Sequence, residues 1–158
     1  MAGAQALFEK SPHEFQRWAI ALIPDAQPWK SGKKGSDSGI DGIVYLRTGR
    51  SETHRGVISV KGGKNVGVAM VRDLGHVVER EKALIGLFIT LTPPTSEMIK
   101  EAVKAGYVET DNGRYRKLQI FAVEDLMAGA RAELPIVDNS AFRRAKREDV
   151  NSQSEMNV

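Results

Sequence analysis

Three side chains near the middle of the chain have residue types that could perform metal-assisted chemistry on phosphate. Asp41 lies in the segment GIDGIVYL, and Ser59 and Lys61 lie in the segment VISVKGG. Because side chains alternate between the two faces of a strand, Ser59 and Lys61 should point the same way. A carboxylate near a lysine can bind a divalent ion and a phosphate group, so the pattern predicts a metal site that acts on phosphate.

The element that must position these residues is predicted to be a β-hairpin. Ile40–Arg47 and Gly56–Lys61 are rich in Val, Ile and Tyr and are bounded by Gly and Ser, as is typical of strands. If the turn centres on Arg50, the aspartate lies beside the serine and diagonal to the lysine, within side-chain reach. We expect this cluster to lie beside the first predicted helix.

That helix is predicted from its start signal. Ser11 is a suitable N-cap, a proline follows at the first turn, and Glu14 stands three residues after the cap. Glu14 has two interpretations: it completes the capping box, or it reaches a metal held by the neighbouring strands. We favour the cap, because capping alone explains the residue.

The rest of the chain predicts alternating strands and helices. In order, these are a helix around Val71–Val78, a buried strand at Leu84–Leu91, a helix at Ser96–Ala105, a strand at Lys117–Ala122 and a short helix at Val123–Ala128. The order αββαβαβα predicts an α/β fold with a mixed central sheet flanked by helices, in a single domain over residues 1–137. Residues 138–158 form a basic and then polar tail without periodicity, which predicts partial disorder.

Composition limits the class of protein. With 158 residues and 41% hydrophobic content, the chain suits one globular domain. No apolar run approaches the roughly 18 residues of a membrane span, and residues 1–22 lack the pattern of a secretory signal. The absence of cysteine excludes thiolate metal sites and fits a cytoplasmic location.

Positive charge is concentrated around the predicted site. The net charge is only +3, yet residues 30–64 contain eight basic residues and three acids. This distribution predicts a polyanionic partner, with a solvated basic surface as the alternative. The residues assigned to phosphate contacts are Lys30, Lys33, Lys34, Arg47, Lys64 and Arg72.

Several other chemistries are excluded by missing motifs. The sequence has no GxxxxGK[ST] phosphate-binding loop and no nucleophile elbow. His13, His54 and His76 lack the spacing of metal ligands, which argues against a zinc hydrolase.

Asp41 together with Ser59-Val60-Lys61 resembles the PD-(D/E)xK restriction-endonuclease-like superfamily. In those nucleases an Asp opens one strand, and an acid, any residue and a Lys lie on the next. Within the superfamily the chain is most similar to Mrr-type nuclease domains, in GIDGIVYL, VISVKGG, VRDLGHVVEREKALIGLFITL and LQIFAVEDL. It is also similar to the C-terminal extensions of some bacterial DNA methyltransferases, which have this SVKGG version. The resemblance spans about Ser11 to Leu126.

The resemblance implies a restriction-endonuclease-like fold and a Mg²⁺- or Mn²⁺-dependent DNA endonuclease. Asp41 matches the metal-binding aspartate, and Lys61 matches the lysine that orients or activates the attacking water. Glu14 stands where many members place a helical glutamate at the metal. Ser59 departs from the pattern, since the family usually has Glu, Asp or Gln there. The implied partners are double-stranded DNA, a second copy of the chain for double-strand cutting, and a DNA methyltransferase.

Two functions therefore remain after the sequence is read. The first is a metal-dependent DNA endonuclease related to restriction and modification. The second is a catalytically impaired DNA-binding or target-recognition module associated with a DNA methyltransferase, which the uncharged Ser59 favours. We place the nuclease ahead.

Overall fold

Two helices precede a β-hairpin along the chain, and helices then alternate with strands. A computed structural model describes residues 2–29, 39–49 and 52–137. The elements are α1 (Ala2–Lys10), α2 (Pro12–Ala21), β1 (Gln27–Pro28), β2 (Gly42–Arg47), β3 (Thr53–Lys61), α3 (Val68–Arg80), β4 (Ile85–Thr90), α4 (Ser96–Lys104), β5 (Tyr107–Thr110), β6 (Gly113–Arg116), β7 (Leu118–Ala122), α5 (Val123–Met127) and β8 (Ile136–Val137). The predicted tail, residues 138–158, lies outside the described residues.

The central sheet is mixed, as predicted. Its strand order is β1-β2-β3-β4-β7, with β8 paired to β2. The β1–β2 and β2–β3 pairs are antiparallel, whereas β3–β4 and β4–β7 are parallel. Parallel neighbours need a crossover connection, which α3 provides between β3 and β4 and α4 provides between β4 and β7. The predicted α/β class, with a mixed sheet flanked by helices, is confirmed.

Helices cover both faces of the sheet and produce two apolar cores. On one face, α1, α2 and α5 pack against strand residues that include Ile58 and Val60. On the other face, α3 and α4 pack against Val57 and Phe88. Every residue of β4 is buried, as its continuous apolar run predicts for a central strand. No helix in the described ranges is long and apolar enough to cross a membrane.

The sequence prediction missed α1, β1, β8 and the separate β5–β6 hairpin. β1 and β8 have two residues each, and β5 and β6 have four each, which is too short for a clear alternation of polar and apolar residues. A turn at Asp111 and Asn112 joins β5 to β6. Helix α1 buries a single residue, Ala4, so it has little apolar periodicity to detect.

Candidate active site

The hairpin register is the predicted one, and its last pair is Gly42 with Ile58. Asp41 and Ser59 are the residues next to this pair, and they line the same cavity. The backbone of Asp41 is held on both sides: its N–H donates to the Ile58 carbonyl at 2.8 Å, and its carbonyl accepts from the Trp29 N–H at 3.0 Å. Backbone hydrogen bonds thus fix the position of Asp41 independently of the contacts of its side chain.

The Asp41 side chain is fixed as well. Its Oδ2 accepts a hydrogen bond from the Val60 N–H at 2.8 Å. Burial raises the pKa of this carboxyl above its ordinary value, while the Val60 hydrogen bond and the positive charge of Lys61 act in the opposite direction. Desolvation is the largest of the three causes, so a cation bound nearby would stabilise the charged form of the Asp41 carboxylate.

Ser59 and Lys61 lie on the same face of β3 as each other, because Ile58 and Val60 belong to the core on the opposite face. Together with Asp41 they line one cavity of about 580 Å³. Ser59 is only 4% exposed, yet its hydroxyl has no hydrogen-bond partner among the described residues. Lys61 is half-buried and forms no ion pair there, so its ammonium is available to a substrate.

Helix α3 forms the opposite wall of this cavity. Its side chains Asp73, His76 and Arg80 line the cavity together with apolar neighbours such as Val77. The expectation that the site lies beside the first predicted helix is therefore wrong. That helix, α2, packs against the other face of the sheet, where a Cβ added at Gly42 would lie 3.0 Å from the Ile20 side chain.

Gly39 allows the chain to pass close to α3 before it reaches Asp41. Its φ of +71° is a left-handed conformation that side chains disfavour. A Cβ at this position would also lie 3.0 Å from Cγ2 of Val77. Both observations require glycine two residues before the site carboxylate.

Glu14 is not among the residues that line the cavity. It is exposed on α2, and its N–H donates to the Ser11 Oγ at 3.3 Å, which confirms Ser11 as the N-cap. The Ser11 N–H donates to the Leu7 carbonyl, at 2.8 Å, so the expectation that Glu14 completes the capping box is wrong. The structure thus places Glu14 at a helix start and does not bring it to Asp41.

The predicted phosphate-contacting residues are dispersed. Lys30, Lys33 and Lys34 lie outside the described residues. Lys64 is exposed three residues after Lys61. Arg47 ends β2, about 20 Å along the strand from Asp41 at roughly 3.3 Å per residue, so the structure does not bring it to the cavity. Arg72 is exposed on α3 and forms an ion pair with Glu101 at 3.0 Å.

Sequence reasoning missed the contribution of α3 to the site. The signal was present in the apolar stripe Val71, Leu74, Val77 and Val78, all of which are buried. Residues beside such a stripe lie at the rim of the packed face, where a helix meets the open part of a sheet. Asp73 and His76 occupy that rim and line the cavity.

Among the described residues, no group of three or more His, Asp or Glu side chains is close enough to hold a metal ion on its own. Asp41 is the one carboxylate that the sheet itself contributes to the cavity lining. An ion bound there would need further oxygen ligands from water or from a substrate.

Comparisons with known proteins agree with this fold. Residues 8–114 match the sequence model of the family Mrr_cat, described as "Restriction endonuclease". Among solved structures, the chain is similar to "DNA modification-dependent restriction endonuclease AspBHI", with a TM-score of 0.53 and 23% sequence identity over 82% of this chain. The match covers 34% of the AspBHI chain, about a third of its length. No curated protein sequence matches the chain. Since the family match covers well over half of its residues, the chain belongs to the Mrr_cat restriction endonuclease family.

Proposed function

We propose that this domain is a metal-dependent endonuclease that hydrolyses phosphodiester bonds of double-stranded DNA at the cavity lined by Asp41, Ser59 and Lys61. The observation that carries the proposal is the Val60 N–H···Asp41 Oδ2 hydrogen bond. It holds the carboxylate on the face that also presents Lys61. A fixed carboxylate can hold a divalent ion that polarises a phosphate, and a lysine ammonium beside it can bind the phosphate oxygens.

The donors fit Mg²⁺ or Mn²⁺ bound together with DNA. Mg²⁺ is usually held by one or two carboxylates, several waters and substrate phosphate oxygens, rather than by a closed protein cage. Asp41 has one carboxylate oxygen that the Val60 N–H leaves free, and the Ser59 hydroxyl is unpartnered. When bound, the ion would polarise the scissile phosphate and lower the pKa of a coordinated water.

Lys61 is assigned to the reacting phosphate and the water that attacks it. Its ammonium group has three donors and faces the cavity without a competing ion pair in the described structure. It can therefore orient the water and stabilise the negative charge that develops on the phosphoryl oxygens. Glu14 has no part in this assignment, since α2 packs on the opposite face of the sheet.

The family and the length of the match support a proposal for the biological setting. AspBHI is described as modification-dependent, and this chain corresponds to about a third of it. We propose a role in restriction and modification, in which the domain supplies cleavage and other parts or partners select the DNA. A second copy of the domain would serve the second strand of the duplex, and a DNA methyltransferase is the partner that protects or marks the substrate.

One observation favours a second function. Ser59 places a neutral side chain where the superfamily pattern has an acid, which lowers the negative charge available to a metal. The alternative is a DNA-binding module without cleavage, associated with a DNA methyltransferase.

A plasmid assay separates the two functions. Wild type and Ser59→Glu are incubated with supercoiled DNA across a Mg²⁺ and Mn²⁺ series, and DNA binding is measured in parallel. Nicking by wild type that EDTA abolishes supports the nuclease. Inactivity of both proteins with retained DNA binding would favour the binding module, and absence of DNA binding at low salt would contradict both.

A further inference from the structure

The charge missing at position 59 leaves a specific gap in the cavity. Ser59 is 96% buried by its neighbours, faces the cavity, and has a hydroxyl with no partner in the described part of the chain. No fully buried side-chain nitrogen or oxygen of the described residues lacks a hydrogen-bond partner, so the Ser59 hydroxyl reaches the open space of the cavity. It can therefore contact a ligand or a water bound to that ligand, although it supplies no charge itself.

Helix α3 brings a second carboxylate to the same cavity. Asp73 is exposed at the cavity wall, and its side chain has no hydrogen bond or ion pair with any described residue. Other carboxylates nearby are occupied: Glu79 pairs with Lys117, Glu81 with Arg55, and Glu101 with Arg72. Asp73 thus differs from these three glutamates in having no ion pair with a described residue.

Asp73 and Ser59 line the cavity from different elements. Asp41, Ser59 and Lys61 line it from the side of the sheet, and Asp73 lines it from α3, together with His76 and Arg80. Asp73 is the one carboxylate that α3 contributes to this lining. The cavity lining therefore contains one carboxylate from each side.

We propose that Asp73 supplies the second carboxylate of the metal site and replaces the acid that is absent at position 59. It acts through a water bound to the ion, since no three acidic or histidine side chains in the described residues converge on one point. Mg²⁺ and Mn²⁺ retain such waters, and a carboxylate separated from the ion by one water still attracts it electrostatically. Asp73 is a positioning residue, because it acts on the ion only through a bound water. The inference rests on the metal-dependent function proposed above.

The test measures binding of Mn²⁺ alone, without DNA or cleavage, from the electron paramagnetic resonance signal of the free ion. The proteins are wild type, Asp73→Asn, Asp41→Asn and the control Glu79→Gln, which removes the same charge from α3 outside the cavity. We expect Asp73→Asn to weaken binding roughly 10-fold, the lower end of what groups outside the first ligand shell contribute. Glu79→Gln should bind within about twofold of wild type, and Asp41→Asn should lose saturable binding.

Two further variants separate a charge effect from a change in folding. Asp73→Glu keeps the carboxylate and should retain most of the affinity. Ser59→Glu in the Asp73→Asn background puts a carboxylate back into the lining of the same cavity, from β3, and should restore binding. Wild-type affinity in Asp73→Asn, with binding lost in Asp41→Asn, would overturn the role of Asp73 and leave the proposed function intact. Unchanged binding in Asp41→Asn, or no saturable binding by wild type, would overturn the metal site itself.

Discussion

The Asp41 carboxylate accepts a hydrogen bond from the Val60 N–H at 2.8 Å, across the antiparallel pair formed by β2 and β3. Val60 stands between Ser59 and Lys61, and its own side chain is buried in the opposite core. Packing of the Val60 side chain in that core therefore fixes the strand whose N–H binds the Asp41 carboxylate. Through this bond, packing on one face of the sheet positions the site on the other face.

The buried carboxylate should reduce stability at neutral pH. Because burial raises the pKa of Asp41, the stability associated with this group is fully present below its ordinary value of 3.8 and is lost as the pH rises through the higher folded-state value. We predict that Asp41→Asn, which can still accept the Val60 hydrogen bond, melts at a higher temperature than wild type at pH 7. The gain should disappear at strongly acidic pH.

The control for this measurement is Asp73→Asn, which removes an exposed carboxylate from the same cavity. In a chain of this size, 1 kcal/mol corresponds to about 2–4 °C in Tm. Thermal melts of metal-free protein at several pH values provide the readout. A lower Tm for Asp41→Asn at pH 7 would mean that the carboxylate stabilises the apo fold.

Gly39→Ala should destabilise the fold and disturb the site. The left-handed φ and the 3.0 Å approach to Val77 both oppose a Cβ, and the conformational term alone amounts to roughly 1–2 kcal/mol. Gly63→Ala is the matched control, because a Cβ there meets no atom within 4 Å. Urea denaturation should show a lower midpoint for Gly39→Ala only, and equal midpoints would refute the strain argument.

Ser11 should contribute to stability at the start of α2, and Glu14 should not contribute to metal binding. Ser11→Ala removes the side-chain cap and should lower the free energy of unfolding by about 1 kcal/mol. Glu14→Gln should leave Mn²⁺ affinity within about twofold of wild type. A large loss of affinity in Glu14→Gln would show that α2 contributes to the metal site after all.

Lys64 and Arg72 should differ in their contribution to DNA binding. Lys64 is exposed and has no ion pair in the described structure, whereas Arg72 is paired with Glu101. We predict that Lys64→Ala lowers the slope of log affinity against log salt by about 1, as loss of one phosphate contact does. Arg72→Ala should change it less. Equal effects, or no effect of Lys64→Ala, would contradict this assignment.

The sequence predicted the hairpin register correctly because two signals agreed there. The strand composition marked Gly56–Lys61, and a turn centred on Arg50 predicted the register that the structure shows, in which Gly42 pairs with Ile58. Strand composition and turn residues are local signals, so they can be recognised from neighbouring residues in the sequence. The fold class followed from the same kind of local pattern in β4 and α3.

The helix that lines the cavity opposite the strands could not be predicted from the sequence in the same way. Whether α2 or α3 faces Asp41 depends on which side of the sheet each helix packs, and that choice is made by contacts distant in sequence. Glu14 looked suitable by residue type, yet Asp73 and His76 line the cavity because α3 is the crossover helix next to β3. The sequence gives the helices, while tertiary packing decides which helix reaches the site.

The central claim is that Asp41 and Lys61 form one catalytic unit, and a double-mutant cycle on the single-turnover rate of plasmid nicking tests it most directly. Wild type, Asp41→Ala, Lys61→Ala and the double variant are compared at saturating Mg²⁺ or Mn²⁺ with protein in excess over DNA. We predict that each single change slows nicking by roughly 100-fold or more and that the double variant is about as slow as the slower single variant. Wild-type rates in either single variant, or losses that multiply in the double variant, would contradict the claim.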